Sequence, residues 1–123
     1  ELLAGHDWIG EITEHEKFCE FVGNAKAIFC PSRHDAGGLV LLEAAALGTP
    51  VITTSLSGAK HHVLHGQTGF VCNNMEEMYK AVGEVDKLIP DDIRKIAQQK
   101  WDLENNFMSF RKILLQVKEE ANA

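Results

Sequence analysis

The sequence predicts an α/β fold, a Rossmann-like doubly wound parallel sheet, and two observations carry that prediction. Short apolar or β-branched runs alternate with segments of helical periodicity, the pattern of a parallel sheet with helices on its faces. The run Ala27-Ile28-Phe29-Cys30 contains no polar residue, as a strand buried on both faces would. In chain order, Trp8-Ile9-Gly10 reads as the end of a short strand. Thr13 followed by Glu16 is a capping-box spacing, so a helix is expected from there, with Phe18, Phe21 and Val22 on one face and a stop at Asn24. The strand at 27–30 ends at Pro31-Ser32. Gly37-Gly38 opens the next element, an apolar helix through Leu39, Leu41, Leu42, Ala45 and Ala46, which Gly48 stops. Thr49-Pro50 turns the chain into Val51-Ile52-Thr53-Thr54, a strand. Gly66-Gln67-Thr68-Gly69 is a turn and Phe70-Val71-Cys72 a strand. Met75, Met78, Tyr79, Val82 and Val85 then mark a helix. Near Ile89-Pro90 the chain becomes helical and charged. Asp91-Asp92 begins a helix that Trp101 ends, and residues 107–117 carry the last. Residues 1–123 are expected to form part of one domain, with residues 90–123 as its C-terminal helices.

Composition narrows the function. Twelve Lys and Arg stand against 18 Asp and Glu, a net charge of −6. No basic stripe exists to neutralise phosphates, which argues against nucleic-acid binding and against a polybasic membrane anchor. No apolar run approaches the roughly 20 residues of a membrane span. Cys19, Cys30 and Cys72 form no CxxC pair and read as reduced core residues of a cytoplasmic protein, with attachment to the inner face of the membrane as a further option. The chain opens at Glu1 without an initiator Met, so it is expected to be a piece of a longer chain. Trp8 and Trp101 are expected to pack, and Glu119-Glu120 to lie on a solvated helix face.

In sheets of this type the ligand lies beyond the carboxyl ends of the strands. Those ends are residues 10–13, 31–38, 54–60 and Asn73-Asn74. At the second, two glycines and a helix start follow one another in Pro31-Ser32-Arg33-His34-Asp35-Ala36-Gly37-Gly38-Leu39-Val40. Free backbone N–H groups and the positive end of a helix dipole suit a diphosphate there. Asp35 and Glu43 would be repelled by a bare phosphate but suit sugar hydroxyls beside one. The simpler alternative makes Asp35 an N-cap and Glu43 a solvated helix position. His61 and His65 stand at i, i+4 with His62 between, a metal-ligand spacing, but no cysteine or carboxylate accompanies them at ligand spacing. Solvated-loop or sugar-hydroxyl roles are preferred for them. Cys30 with His34 has the ingredients of a nucleophile and base, against the preferred reading of a buried thiol.

The stretch Pro31-Ser32-x-x-Asp35-x-Gly37-Gly38-Leu39-Val40-x-Leu42-Glu43-Ala44-x-Ala46-x-Gly48-Thr49-Pro50-Val51-Ile52 resembles the donor-site signature of family 4 (group 1) retaining glycosyltransferases of the GT-B fold. That signature, EX7E, is an acidic residue, seven others and a glutamate, here Asp35 and Glu43. Ser57-Gly58, His65-Gly66-Gln67-Thr68-Gly69-Phe70-Val71 and Gly10-Glu11-Ile12 with Lys17 match in kind, so the resemblance covers residues 6–88. It implies a nucleotide-sugar donor, UDP- or GDP-linked, and transfer of a hexose-like sugar with retention to a glycan, lipid or small-molecule acceptor. It implies that Glu43 holds the ribose and Asp35 the transferred sugar. Gly37, Gly38, Leu39 and Val40 would approach the diphosphate or the sugar, and Ile12 and Lys17 would lie by the base. It further implies no metal and no other cofactor, and a front-face mechanism in which the leaving diphosphate helps deprotonate the acceptor.

The family's C-terminal domain has the strand order 3-2-1-4-5-6, with the Trp8 strand as its third. The resemblance therefore implies two absent strands, whose Arg and Lys neutralise the diphosphate, and an absent N-terminal domain that holds the acceptor. The 123 residues alone are expected to be inactive. Asp35 stands where Glu is usual, Gly37 where Phe is usual, and His61 where the Gly-Gly-x-x-Glu loop has its glutamate. The pattern His34-Asp35-Ala36-Gly37-Gly38 resembles a variant of polysaccharide-assembly members. The same departures would suit an alternative, a non-catalytic nucleotide-sugar-binding or structural α/β module.

Overall fold

The computed structural model describes residues 9–34 and 39–122. In order these form α1 (His15–Gly23), β1 (Ile28–Cys30), α2 (Leu39–Ala46), β2 (Val51–Thr54), a 3-10 helix (Gly58–His62), β3 (Gly69–Cys72), α3 (Met75–Glu84), a short 3-10 turn (Val85–Lys87), α4 (Pro90–Trp101) and α5 (Leu103–Ala121). The three strands pair in the order β1-β2-β3, all parallel, with Ile28 opposite Val51 and Val51 opposite Gly69. The fold is the expected α/β class.

Strand periodicity divides the core. Val51, with Ile28, Cys30 and Val71, packs against Val22 of α1 and Leu41 and Ala44 of α2. Ile52, Phe70 and Cys72 pack on the other side against Met78 and Ala81 of α3 and against Val85. Ala45, Ile93 and Ala97 form a third cluster where α4 meets α2, with Trp101 packed on it. Burying a side chain of the Val, Leu or Ile kind is worth about 1.5–3 kcal/mol. All of β2 is buried, and its two threonines are satisfied there: Thr53 Oγ1 donates to the Cys30 carbonyl at 3.1 Å and Thr54 Oγ1 to the Ser32 carbonyl at 2.5 Å.

Two glycines are structural necessities. Gly48 stops α2 at φ +81°, and a Cβ there would lie 2.9 Å from the Pro90 carbonyl oxygen. At Gly69 a Cβ would lie 1.9 Å from the Val51 carbonyl oxygen, so nothing larger than hydrogen fits beside β2.

The structure corrects several expectations. Trp8 lies outside the described residues, and Ile9 and Gly10 are not in a strand. Among the described residues no strand pairs with β1 on its far side, so a strand there would leave its backbone groups unpaired. The first helix starts at His15, with Glu14 at the capping position and no side-chain cap. This shift takes Thr13 out of capping register, and a Glu14–Lys17 ion pair at 3.4 Å spans the first turn instead. Phe21 is not core; it is exposed. The strand at 28–30 is not buried on both faces. Phe29 is 51% exposed, because α3 covers its row partners Ile52 and Phe70 but stops short of it. The last helix extends over Leu103–Ala121, and its Ile113, Leu114, Leu115 and Val117 are exposed. All three cysteines are free, but only Cys72 is buried; Cys19 and Cys30 are half-buried. Trp101 packs as expected, Trp8 lies outside the described residues, and Glu119 and Glu120 are exposed. Among the described residues no helix is long and apolar enough to cross a membrane.

Candidate functional site

The carboxyl edge of the sheet is built from turns that satisfy their own backbone groups. Besides the Thr54–Ser32 bond, the Ser55 N–H donates to the Cys72 carbonyl at 3.0 Å, tying the end of β2 to that of β3. The 3-10 helix after β2 is capped by Ser57, whose Oγ accepts from the Ala59 N–H at 3.3 Å, and buried Ala59 and Val63 anchor it. After β3, Asn74 Oδ1 accepts from the Glu77 N–H at 2.9 Å while Glu77 Oε2 accepts from the Asn73 N–H at 2.8 Å. This is a reciprocal capping pair at the start of α3.

Helix α2 begins at this edge, beyond the end of β1. Leu39 and Val40 form its first turn and are exposed; first-turn N–H groups have no acceptor within the helix. Glu43 lies one turn further on, half-buried, on the flank away from buried Leu41, Ala44 and Ala45. Among the described residues its carboxylate has no hydrogen-bond or ion-pair partner. Helical side chains lean toward the N-terminus of their helix, which is here the end at the carboxyl edge. Asp35, Gly37 and Gly38 lie outside the described residues.

Ile12 and Lys17 come together in a groove of about 340 Å³ whose walls include Ile9 and Phe21. Lys17 is exposed and paired with Glu14. Helix α1, which carries Lys17, packs against α2, which carries Glu43. The candidate residues thus form two groups, Ile12 with Lys17, and Leu39, Val40 and Glu43 along one helix.

The histidines have separate environments. His61 is exposed, while His62 is half-buried with its Nδ1 buried and without a hydrogen-bond partner. His65 Nδ1 accepts the Val71 N–H at 3.0 Å, and its ring meets Phe70 edge-on at 5.6 Å and 87°. That bond places the ring proton of a neutral His65 on Nε2. Among the described residues no three His, Cys, Asp or Glu side chains converge as metal ligands would. The bond from the Val71 N–H to His65 has no periodic signature in the sequence. Its one signal is Gly66, whose φ of +78° folds the turn so that the Gly66 N–H donates to the Gly69 carbonyl at 2.8 Å.

Burial pushes the Cys72 thiol above its ordinary value, and the nearby Glu77 carboxylate raises it further. Cys72 is therefore a neutral packing group rather than a nucleophile. Cys30 is a half-buried strand residue whose carbonyl accepts from Thr53. Cys19 Sγ lies 3.5 Å from His15 Nε2 on α1.

Residues 1–104 match the family Glycosyl transferases group 1. The chain is 41% identical over 71 residues to a glycogen synthase of Mycobacterium tuberculosis, covering 58% of this chain and 17% of that one. It is 38% identical over 73 residues to the capsular polysaccharide biosynthesis glycosyltransferase CapM of Staphylococcus aureus, covering 58% and 19%. It is 32% identical over 99 residues to an alpha-maltose-1-phosphate synthase of Mycolicibacterium smegmatis, covering 76% and 26%. The chain thus spans from 17% to 26% of the length of these relatives.

Proposed function

The chain belongs to the group 1 glycosyltransferases, and we propose that it forms part of the donor-binding domain of an enzyme that transfers a sugar from a nucleotide-sugar donor. What supports this reading is Glu43: a half-buried carboxylate without a partner among the described residues, one turn into the helix that begins beyond β1. In this proposal Glu43 accepts hydrogen bonds from the ribose hydroxyls. Such bonds, made to a charged group, are worth about 1.5–3 kcal/mol each. The first-turn N–H groups of Leu39 and Val40, with those of Gly37 and Gly38, meet the diphosphate or the sugar. Asp35 takes hydroxyls of the transferred sugar, and Ile12 and Lys17 flank the base.

The reaction is retaining. The anomeric carbon–oxygen bond to the diphosphate breaks as the acceptor oxygen attacks from the same face. The departing phosphate oxygen takes the acceptor proton. Donors held at a helix start leave charge development to fixed N–H dipoles, so the proposal includes no metal. The acceptor is a glycan, lipid or small molecule. Transfer is assigned to the intact protein and not to residues 1–123 alone, because an acceptor must be held and oriented on the leaving-group face, a positioning effect of about 7–11 kcal/mol. The proposed enzyme works in the cytoplasm.

The test is a transfer assay on the intact protein with a panel of UDP- and GDP-sugars, in EDTA, with the anomeric configuration of the product read by NMR. Retained configuration with one donor class is the expected result. Inversion, or activity restored only by manganese, contradicts the mechanism. Donor binding without transfer to any acceptor would assign the chain to a binding module.

A further inference from the structure

We propose that the seam between α2 and α4 is a second carbohydrate site, holding a neutral oligosaccharide, the acceptor or product chain, apart from the nucleotide sugar. The proposal rests on the glycosyl-transfer reading above but uses none of its residues. The seam is a groove of about 490 Å³ whose walls include Leu42, Arg94, Gln98, Trp101 and Asp102. That size falls among pockets that hold small ligands, about 300–1,000 Å³.

The chemistry of the walls selects the ligand. Trp101 is half-buried and packed on the Ala45, Ile93 and Ala97 cluster, so its ring is held before anything binds. An indole face is broad, apolar and electron-rich, which suits the C–H face of a pyranose. The Arg94 guanidinium, the Gln98 carboxamide and the Asp102 carboxylate offer donors and acceptors in fixed planes, which suits neighbouring hydroxyls. A purely apolar ligand would strip water from these groups without replacing their hydrogen bonds. An anion is disfavoured as well. Arg94 is already paired with Asp91, and Asp102 brings a second carboxylate to the same groove. One cation against two carboxylates disfavours an anion, and the mixed donors and acceptors suit a hydroxyl-rich molecule.

Position gives the site its use. Gly48, beyond the end of α2, lies against Pro90 and Arg94 at the start of α4, while Leu42 shares the groove with Trp101 at the far end of α4. The two helices therefore run antiparallel. The Trp101 end of the groove lies beside the residue that precedes Glu43. An oligosaccharide along the seam extends toward the carboxyl edge of the sheet, where a growing chain must present its end.

The test is calorimetric titration of the intact protein with neutral malto-, isomalto-, cello-, manno- and chito-oligosaccharides. UDP- and GDP-sugars are titrated in parallel. At least one oligosaccharide series should bind. Trp101→Ala and Gln98→Ala should each weaken that binding at least about tenfold, roughly 1.4 kcal/mol, and leave donor affinity unchanged. Gln98 is exposed, so its variant stays interpretable if Trp101→Ala perturbs packing. Failure of every series to bind, or unchanged affinity in the Gln98 variant, overturns the proposal. Trp101- and Gln98-dependent oligosaccharide binding in a protein that binds no donor would leave the groove standing and overturn the transfer reading instead.

Discussion

At the amino end of the sheet Gly48, Thr49, Thr68 and Gly69 are all buried. Thr49 Oγ1 donates to the Val22 carbonyl at 2.8 Å, and Thr68 Oγ1 accepts from the Leu64 N–H at 2.9 Å. At the carboxyl end Leu39, Leu56, His61 and Asn73 are exposed, and Glu43 has no partner among the described residues. The first end buries both threonines and ties them to neighbouring backbone. The second satisfies its backbone through local caps at Ser57 and Asn74 and leaves Leu39, Leu56 and His61 exposed. Stability is therefore concentrated at one end and, in the proposed function, ligand recognition at the other, so substitutions at the two ends should fail in different ways.

The largest effect is expected at Gly69. A Cβ there collides with the backbone of β2, so Gly69→Ala should cost at least about 3 kcal/mol, the upper part of the overpacking range. Urea unfolding followed by circular dichroism reads this directly. An unchanged midpoint would show that the amino end is not the rigid frame described above. Thr49→Val should cost less, about 1 kcal/mol, through loss of one buried hydrogen bond. The Val22 carbonyl keeps a longer bond from the Ala25 N–H at 3.2 Å. A loss above that of Gly69→Ala would reverse the ranking.

The smallest effect is one of pH. The Cys72 thiol titrates above its ordinary value of 9.0 in the folded protein. Between those two values the native state holds more protons than the unfolded state, so stability falls as pH rises past about 9. In Cys72→Ala, lower in absolute stability because a buried group is lost, that alkaline slope should be shallower. Equal slopes in the two proteins would show that Cys72 does not drive the alkaline loss.

Much of the frame was legible because it depends on local chemistry. The β-branched run Val51-Ile52-Thr53-Thr54 became β2 without a shift of boundary, and the helix stop at Gly48 followed from the need for positive φ. The capping box at Thr13 misled because sequence spacing does not reveal where the first helical hydrogen bond closes. The Phe18 N–H donates to the Glu14 carbonyl at 3.0 Å, which sets the start at His15. Exposure of Phe29 was not legible, since it depends on how far α3 reaches across the sheet. Nor was the bond from the Val71 N–H to His65, because an imidazole capping a strand is a tertiary contact with no periodic signature. Glu43 could be picked out from its motif and lies within α2. The groove at Trp101 exists only through the packing of α4 on α2, elements separated in the chain by two strands, α3 and two 3-10 segments.

In the proposed function the carboxyl edge binds a nucleotide sugar through Glu43. The most direct test is calorimetric titration of the intact protein and its Glu43→Ala variant with the donor that supports transfer, alongside urea unfolding of both. The account predicts a donor affinity at least about tenfold weaker in the variant, from loss of charge-assisted hydrogen bonds of about 1.5–3 kcal/mol each. It predicts an unfolding free energy within about 0.5 kcal/mol of the parent, as for a surface position. Equal donor affinities in the two proteins would contradict the account and make Glu43 a helix residue without a role in binding.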